Sequence, residues 1–243
     1  MLVSKESPLR KIPYALDRKQ ALFIDGIRFT FEMIDVAYVR LLYILEQITT
    51  DDSFREEHPM AEAFMEAWSI VDSVHRLRCL ISQMPGFKQN ELPQRKIFLE
   101  KTKDVEDFRH TIQHLNNDII KLADQNEPAW GILSWFTITD LYRGGENIRN
   151  NLQHVRSGCY CLMISGSVVV GKPYTTSIPQ EMTFKEKVNL ITLKSGGRSL
   201  SICDKFENAK NLKEAIEVYI NRKFKELPDA RSDIYVFGRI DFE

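Results

Sequence analysis

Trp130-Gly131-Ile132-Leu133-Ser134-Trp135-Phe136-Thr137-Ile138-Thr139 is the stretch on which the fold turns. It is rich in aromatic and β-branched residues, the composition of a strand. Everything before it carries a helical period. From Gly26, the residues Ile27, Phe31, Ile34, Tyr38, Leu41, Leu45 and Ile48 recur at steps of three and four, predicting a helix that ends near Thr49-Thr50-Asp51. Met60, Phe64, Ala67, Val71, Val74, Leu80, Ile81 and Met84 mark a second helix, stopped by Met84-Pro85-Gly86. After Pro93 a third helical region passes through Phe98 and Leu99. It continues, with a break, through Val105, Phe108, Ile112, Leu115, Ile119 and Leu122. Three long apolar stripes bury one another most economically in an antiparallel bundle.

Downstream the period shortens. Cys159 to Ile164 and Ser167 to Gly171 flank Ser165-Gly166 as one hairpin, and Lys187 to Lys194 and Arg198 to Cys203 flank Ser195-Gly196-Gly197 as another. A helix with Leu212, Ala215, Ile216 and Tyr219 on one side follows, and Asp233-Ile234-Tyr235-Val236-Phe237 reads as a last strand. Helices first and hairpins later give an α+β chain: a helical bundle over 1–126, then an antiparallel β-rich region with one helix over 127–243. The change of character between 126 and 157 does not require two independently folding units, and there is no internal repeat or low-complexity linker.

With 243 residues, 43% hydrophobic and 28% charged, the chain has the composition of an ordinary globular protein. A net charge of −1 supplies no bulk positive field, so a nucleic-acid partner would need a local patch or one completed by oligomerisation. The first twenty residues lack the apolar core of a secretory signal, and the apolar run around 162–170 is interrupted by Ser165-Gly166 and too short to span a bilayer. The expectation is a cytoplasmic protein with no membrane partner and no cofactor. Cys79, Cys159, Cys161 and Cys203 are too scattered for a disulfide framework, and Cys159-x-Cys161 reads as strand packing.

The strongest chemical hint is Asp107-Phe108-Arg109-His110-Thr111-Ile112-Gln113-His114. An arginine can hold a phosphate and an imidazole can move protons. Arg109-His110-x3-His114, on a helix of a bundle with two long helices before it, resembles the HEPN families. Their pattern is Arg, a polar residue, three variable residues, then His. The acidic lead-in (Asp104, Glu106, Asp107) and the polar tail Asn116-Asn117-Asp118 fit the same context, and the resemblance covers roughly residues 20–126. It implies a homodimer with facing motifs and a metal-independent endoribonuclease, in a toxin or anti-phage setting with an antitoxin or other protein partner; some relatives are inactive. Arg109 would hold the scissile phosphate and His114 would act as general acid or base while the ribose 2′-hydroxyl attacks. The product would be a 2′,3′-cyclic phosphate, with His110 assisting.

Several readings compete. Arg149-Asn150-x3-His154 matches the same letters and is held as a reserve motif; the long amphipathic helix favours Arg109 and His114 as the rigidly presented pair. Arg109, His110, Gln113 and His114 also suit the wet side of a structural helix, which would make the chain a non-catalytic oligomerisation or interaction protein. Glu106, His110, His114 and Asp118 stand at successive i, i+4 steps, a spacing that suits a metal. His75-Arg76-x-Arg78 reads as a solvated edge or as positive charge facing the third helix, and Asp72 can pair with Arg76. Gly171-Lys172-Pro173 and Ser195-Gly196-Gly197-Arg198 read as hairpin turns, and Trp68, Trp130 and Trp135 as core or interface anchors.

Overall fold

A computed structural model describes residues 2–56, 59–85, 92–138, 158–166, 187–224, 226–229 and 233. The reserve motif Arg149-Asn150-x3-His154, the expected strand Ser167 to Gly171 and the stretch 234–237 lie outside the described residues. The chain folds as α+β. The first helix, α1, runs Arg18–Thr50 and starts a full two turns before the apolar stripe suggests. A capping box accounts for the early start: Asp17 accepts from the Gln20 amide at 2.8 Å, and the Gln20 side chain accepts from the Asp17 amide. A short α2 (Asp52–Glu56) leads to α3 (Met60–Gln83), which packs along α1.

The third helical region is three helices. Pro93 opens α4 (Pro93–Lys101) at a position where its missing N–H costs nothing. The chain breaks at buried Thr102, restarts as α5 (Asp104–Gln113), breaks again at His114 and resumes as α6 (Leu115–Asp124). The first break is held from α3: Arg78 donates to the Leu99 carbonyl and, at 2.8 Å, to Thr102 Oγ1, so the α4 carbonyls find a donor. Of the two readings of His75-Arg76-x-Arg78, Arg78 therefore takes the inward one. At the second break His114 (φ −110°, ψ 25°) precedes two asparagines, residues that compete with the helical backbone for hydrogen bonds. The stripe does not survive it. Leu122 is buried, but Ile119 faces solvent.

Four strands form an antiparallel sheet in the order β2-β1-β3-β4: β1 (Ile132–Ile138), β2 (Gly158–Ile164), β3 (Val188–Ser195) and β4 (Arg198–Ser201). Among the described residues, the partner of β2 is β1, with Trp135 opposite Cys161. The expected β3–β4 hairpin is present, but its second strand stops at Ser201 and not at Cys203, because Ser201 caps a helix that begins at Ile202. Every residue of β1 is buried, as suits a central strand. Its register with β3 shifts between Ser134 and Phe136, where Leu190 takes φ 54°. The bulge lets both Val188 and Ile191 point inward, and the Ile191 amide bonds Cys203 Sγ at 3.3 Å.

The last helix, α7 (Ile202–Lys223), begins directly from β4, with Ser201 capping the Asp204 amide. It packs on β3 and α4 and touches α1 and α3, where Tyr38 and Phe206 stack at 3.8 Å. One buried cluster accordingly runs through the helices and the sheet. Trp135 Nε1 joins the two parts by donating to Thr49 Oγ1 at the end of α1, 3.0 Å away. No helix among the described residues is long and apolar enough to cross a membrane.

Candidate phosphate-binding cleft

Helix α5 is anchored by two buried residues, Val105 and Phe108, and the Phe108 ring stacks on Trp68 of α3 at 5.1 Å. Its acidic first turn suits the positive end of the helix dipole. This packing fixes where the motif residues go, and it separates them. Arg109 turns to α3, donating from Nε to Asp72 Oδ1 at 2.7 Å, while Arg76 Nε reaches Asp72 Oδ2 at 2.6 Å. Burial alone would raise the Asp72 carboxyl, but the hydrogen bonds and charges of Arg76 and Arg109 outweigh it and hold it below its ordinary value. The neighbouring His75 imidazole is pushed down by burial and by the Arg109 charge.

His110 and His114 point elsewhere. Both are exposed, and their rings lie 4.3 Å apart, tilted by 51°. With Asn117, Lys121 and Leu122 of α6 and Gly196 and Arg198 of the β3–β4 turn they line an open cleft of about 350 Å³. Two contacts hold the turn in place: Arg198 Nη1 donates to the Asp107 carbonyl of α5 at 2.8 Å, and the Gly197 amide to Glu127 Oε2, just after α6, at 2.8 Å. The turn can come this close because Gly196 and Gly197 take φ 58° and 72°, a left-handed backbone that favours glycine. Two imidazoles, an ammonium and a guanidinium around a solvent-open cleft can hold an anion and exchange protons with it.

Glu106 goes to a different cleft, of about 410 Å³, which it lines with Arg78, Arg95, Lys96, Glu100 and Lys103; it stands 4.0 Å from Arg78. The four-residue metal face is thus split, with Glu106 in one cleft and His110 and His114 in the other. Among the described residues no group of three or more His, Cys, Asp or Glu side chains is placed to hold a metal. The two β2 thiols stand side by side, Sγ to Sγ 3.6 Å. Burial, with Cys159 beside it, pushes the Cys161 thiol up to about 11 against the opposing pull of the Thr49 hydroxyl. A further cavity, about 640 Å³, is lined by Met60, Phe64, Met65, Trp68 and Trp130 and offers no ionisable group. Trp135 is a core anchor as expected, whereas Trp130 is half exposed.

The sequence reading did not place Lys121 or Arg198 in the site. A signal for Lys121 was there, since 110, 114, 117 and 121 follow the helical period. None existed for Arg198, which reads as part of a turn until the turn is seen against α5. Comparison with family models, with curated proteins and with solved structures finds no match to this chain.

Proposed function

We propose that this chain is an RNA-directed protein, a metal-independent endoribonuclease of HEPN-like type. One observation carries the reading: His114 and His110 share an open cleft with Lys121 and Arg198. In a chain of net charge −1, local cationic groups are what an RNA phosphate requires. Lys121 and Arg198 hold the phosphate and stabilise the charge that builds on its oxygens. His114 exchanges the proton with the reacting oxygens and His110 assists. The ribose 2′-oxygen bonds to phosphorus as its proton passes to the imidazole pair, and the phosphorus–5′-oxygen bond breaks as the leaving 5′-oxygen takes a proton from that pair. A 2′,3′-cyclic phosphate and a 5′-hydroxyl result. Arg109, whose Nε is engaged by Asp72, stands outside the residues that line this cleft.

That ion pair is also the observation that favours the second reading, a non-catalytic interaction protein in which Arg109 is structural. Cleavage of a mixed RNA pool in EDTA separates the two. The nuclease reading expects wild type to leave 2′,3′-cyclic ends, His114→Ala to lose activity at least a hundredfold with unchanged melting, and Arg198→Ala to raise KM. Activity lost in His154→Ala and kept in His114→Ala would move the site to the reserve motif. A folded wild type that neither cleaves nor binds RNA would leave the interaction protein.

A further inference from the structure

Helix α1 is apolar on two opposite faces. One carries Ile27, Phe31, Ile34, Tyr38, Leu41 and Leu45 into the core. On the other, Leu22, Phe29, Met33, Val36, Val39 and Tyr43 are between 43 and 63% exposed. A helix on the surface of a globular unit has one apolar stripe, and apolar residues all round mark a helix with partners on both sides. The outer stripe is regular. Leu22, Phe29, Val36 and Tyr43 fall at intervals of seven, with Met33 and Val39 filling the steps of three and four between them. A strict seven-residue repeat follows a supercoiling partner helix, because on a straight helix it drifts by about 20° per repeat.

We infer that this face is the seam of a homodimer in which α1 packs antiparallel against α1 of a second copy. Four of the six stripe residues pair with one another about a two-fold axis between Glu32 and Met33, and Met33 and Val39 fall opposite Glu32 and Gly26. That axis sets Leu22 against Tyr43 and Phe29 against Val36 of the other copy, and it brings Asp25 opposite Arg40. Both are already ion-paired within the chain, Asp25 with Arg28 at 3.0 Å and Arg40 with Glu66 at 3.5 Å, and at 42% and 65% exposure each keeps an accessible side toward a second copy. A parallel pair would oppose Asp25 to Asp25 and Arg40 to Arg40, a like-charge arrangement that costs stability. The six side chains expose roughly 600 Å² per copy, so a two-fold pair buries up to about 1,200 Å² from them, the lower bound of a stable interface. A second copy is the occupant whose pattern matches by symmetry. The seam includes no residue of the phosphate cleft; it rests on the outer face of α1 and not on the facing-motif dimer that the HEPN resemblance implies, so the inference stands independently of the RNA reading.

Sedimentation velocity of the full chain in the micromolar range should give twice the mass of a single chain. Val36→Lys and, separately, Val39→Lys should run at the single-chain mass with unchanged circular dichroism and melting. Orientation is read by cross-linking in a Cys79→Ser, Cys159→Ser background. Met33→Cys, beside the axis, should form a disulfide-linked dimer on mild oxidation. Leu22→Cys should not, since the two copies of that residue stand about 30 Å apart along antiparallel helices. A monomeric wild type, a dimer unmoved by both lysine variants, or a Leu22→Cys cross-link as efficient as that of Met33→Cys would overturn the inference.

Discussion

Lys205→Met tests how α7 holds the helix that carries the motif. Lys205 is only 6% exposed, yet its ammonium is fully engaged. It donates to both Asp104 carboxylate oxygens at 2.7 Å and to the Lys101 carbonyl at 2.9 Å. Those partners are the last residue of α4 and the first of α5, so one side chain pins the break between them. Hydrogen bonds to charged groups are each worth about 1.5–3 kcal/mol, but the sum is discounted twice. Desolvating the ammonium already costs part of it, and Asp104, 52% exposed, returns to water when the lysine goes. The unrecovered part is mainly the Lys101 carbonyl and the lost attraction, about 2 kcal/mol. For a chain of this length that lowers Tm by roughly 4–8 °C. Methionine keeps the buried stem, and Lys205→Ala should lose about 1 kcal/mol more through packing alone. Urea unfolding followed by circular dichroism measures both, and amide exchange in the first turn of α5 should quicken in Lys205→Met. A loss below about 0.5 kcal/mol with exchange unchanged would refute the pinning role.

Three further outcomes follow from the geometry. Asp72 sits below its ordinary carboxyl value of 3.8, so the stability it adds is full above about pH 4 and is lost as pH falls through its lowered folded value. Asp72→Asn should therefore cost about 1 kcal/mol at neutral pH, after discounting for solvent, with the gap to wild type narrowing as pH falls below about 4; a gap that does not narrow in acid contradicts the assignment. Cys161, raised to about 11, should stay protonated and resist iodoacetamide at neutral pH in the folded protein, which mass mapping of labelled peptides reads directly. Gly131 takes φ 91°, and a Cβ there would meet the Lys194 carbonyl oxygen at 2.1 Å. Gly131→Ala should cost about 2–4 kcal/mol in urea titration, against about 1 for Gly197→Ala, where φ is 72° and the space is open. Equal losses would show that the carbonyl contact is irrelevant.

The elements of the fold were legible because they rest on local signals. Apolar residues three and four apart made α1 and α3 visible, the aromatic and β-branched run marked β1, and Gly196-Gly197 announced the β3–β4 turn. The early start of α1 was written in Asp17 and Gln20, a capping pair outside the apolar stripe. The break at His114 was less legible: the stripe runs through it, and only the paired asparagines argue against a continuous helix.

What each side chain meets belongs to the tertiary structure. Arg109 and His114 look like partners five residues apart, but Arg109 is claimed by Asp72, 37 residues earlier, once Phe108 seats α5 on α3. Arg198 enters the cleft through a carbonyl 91 residues before it. A helix period fixes which residues share a face. The element that packs on that face is chosen by burial over the whole chain, and that choice decides whether an arginine is anchored in an ion pair or turned toward a ligand.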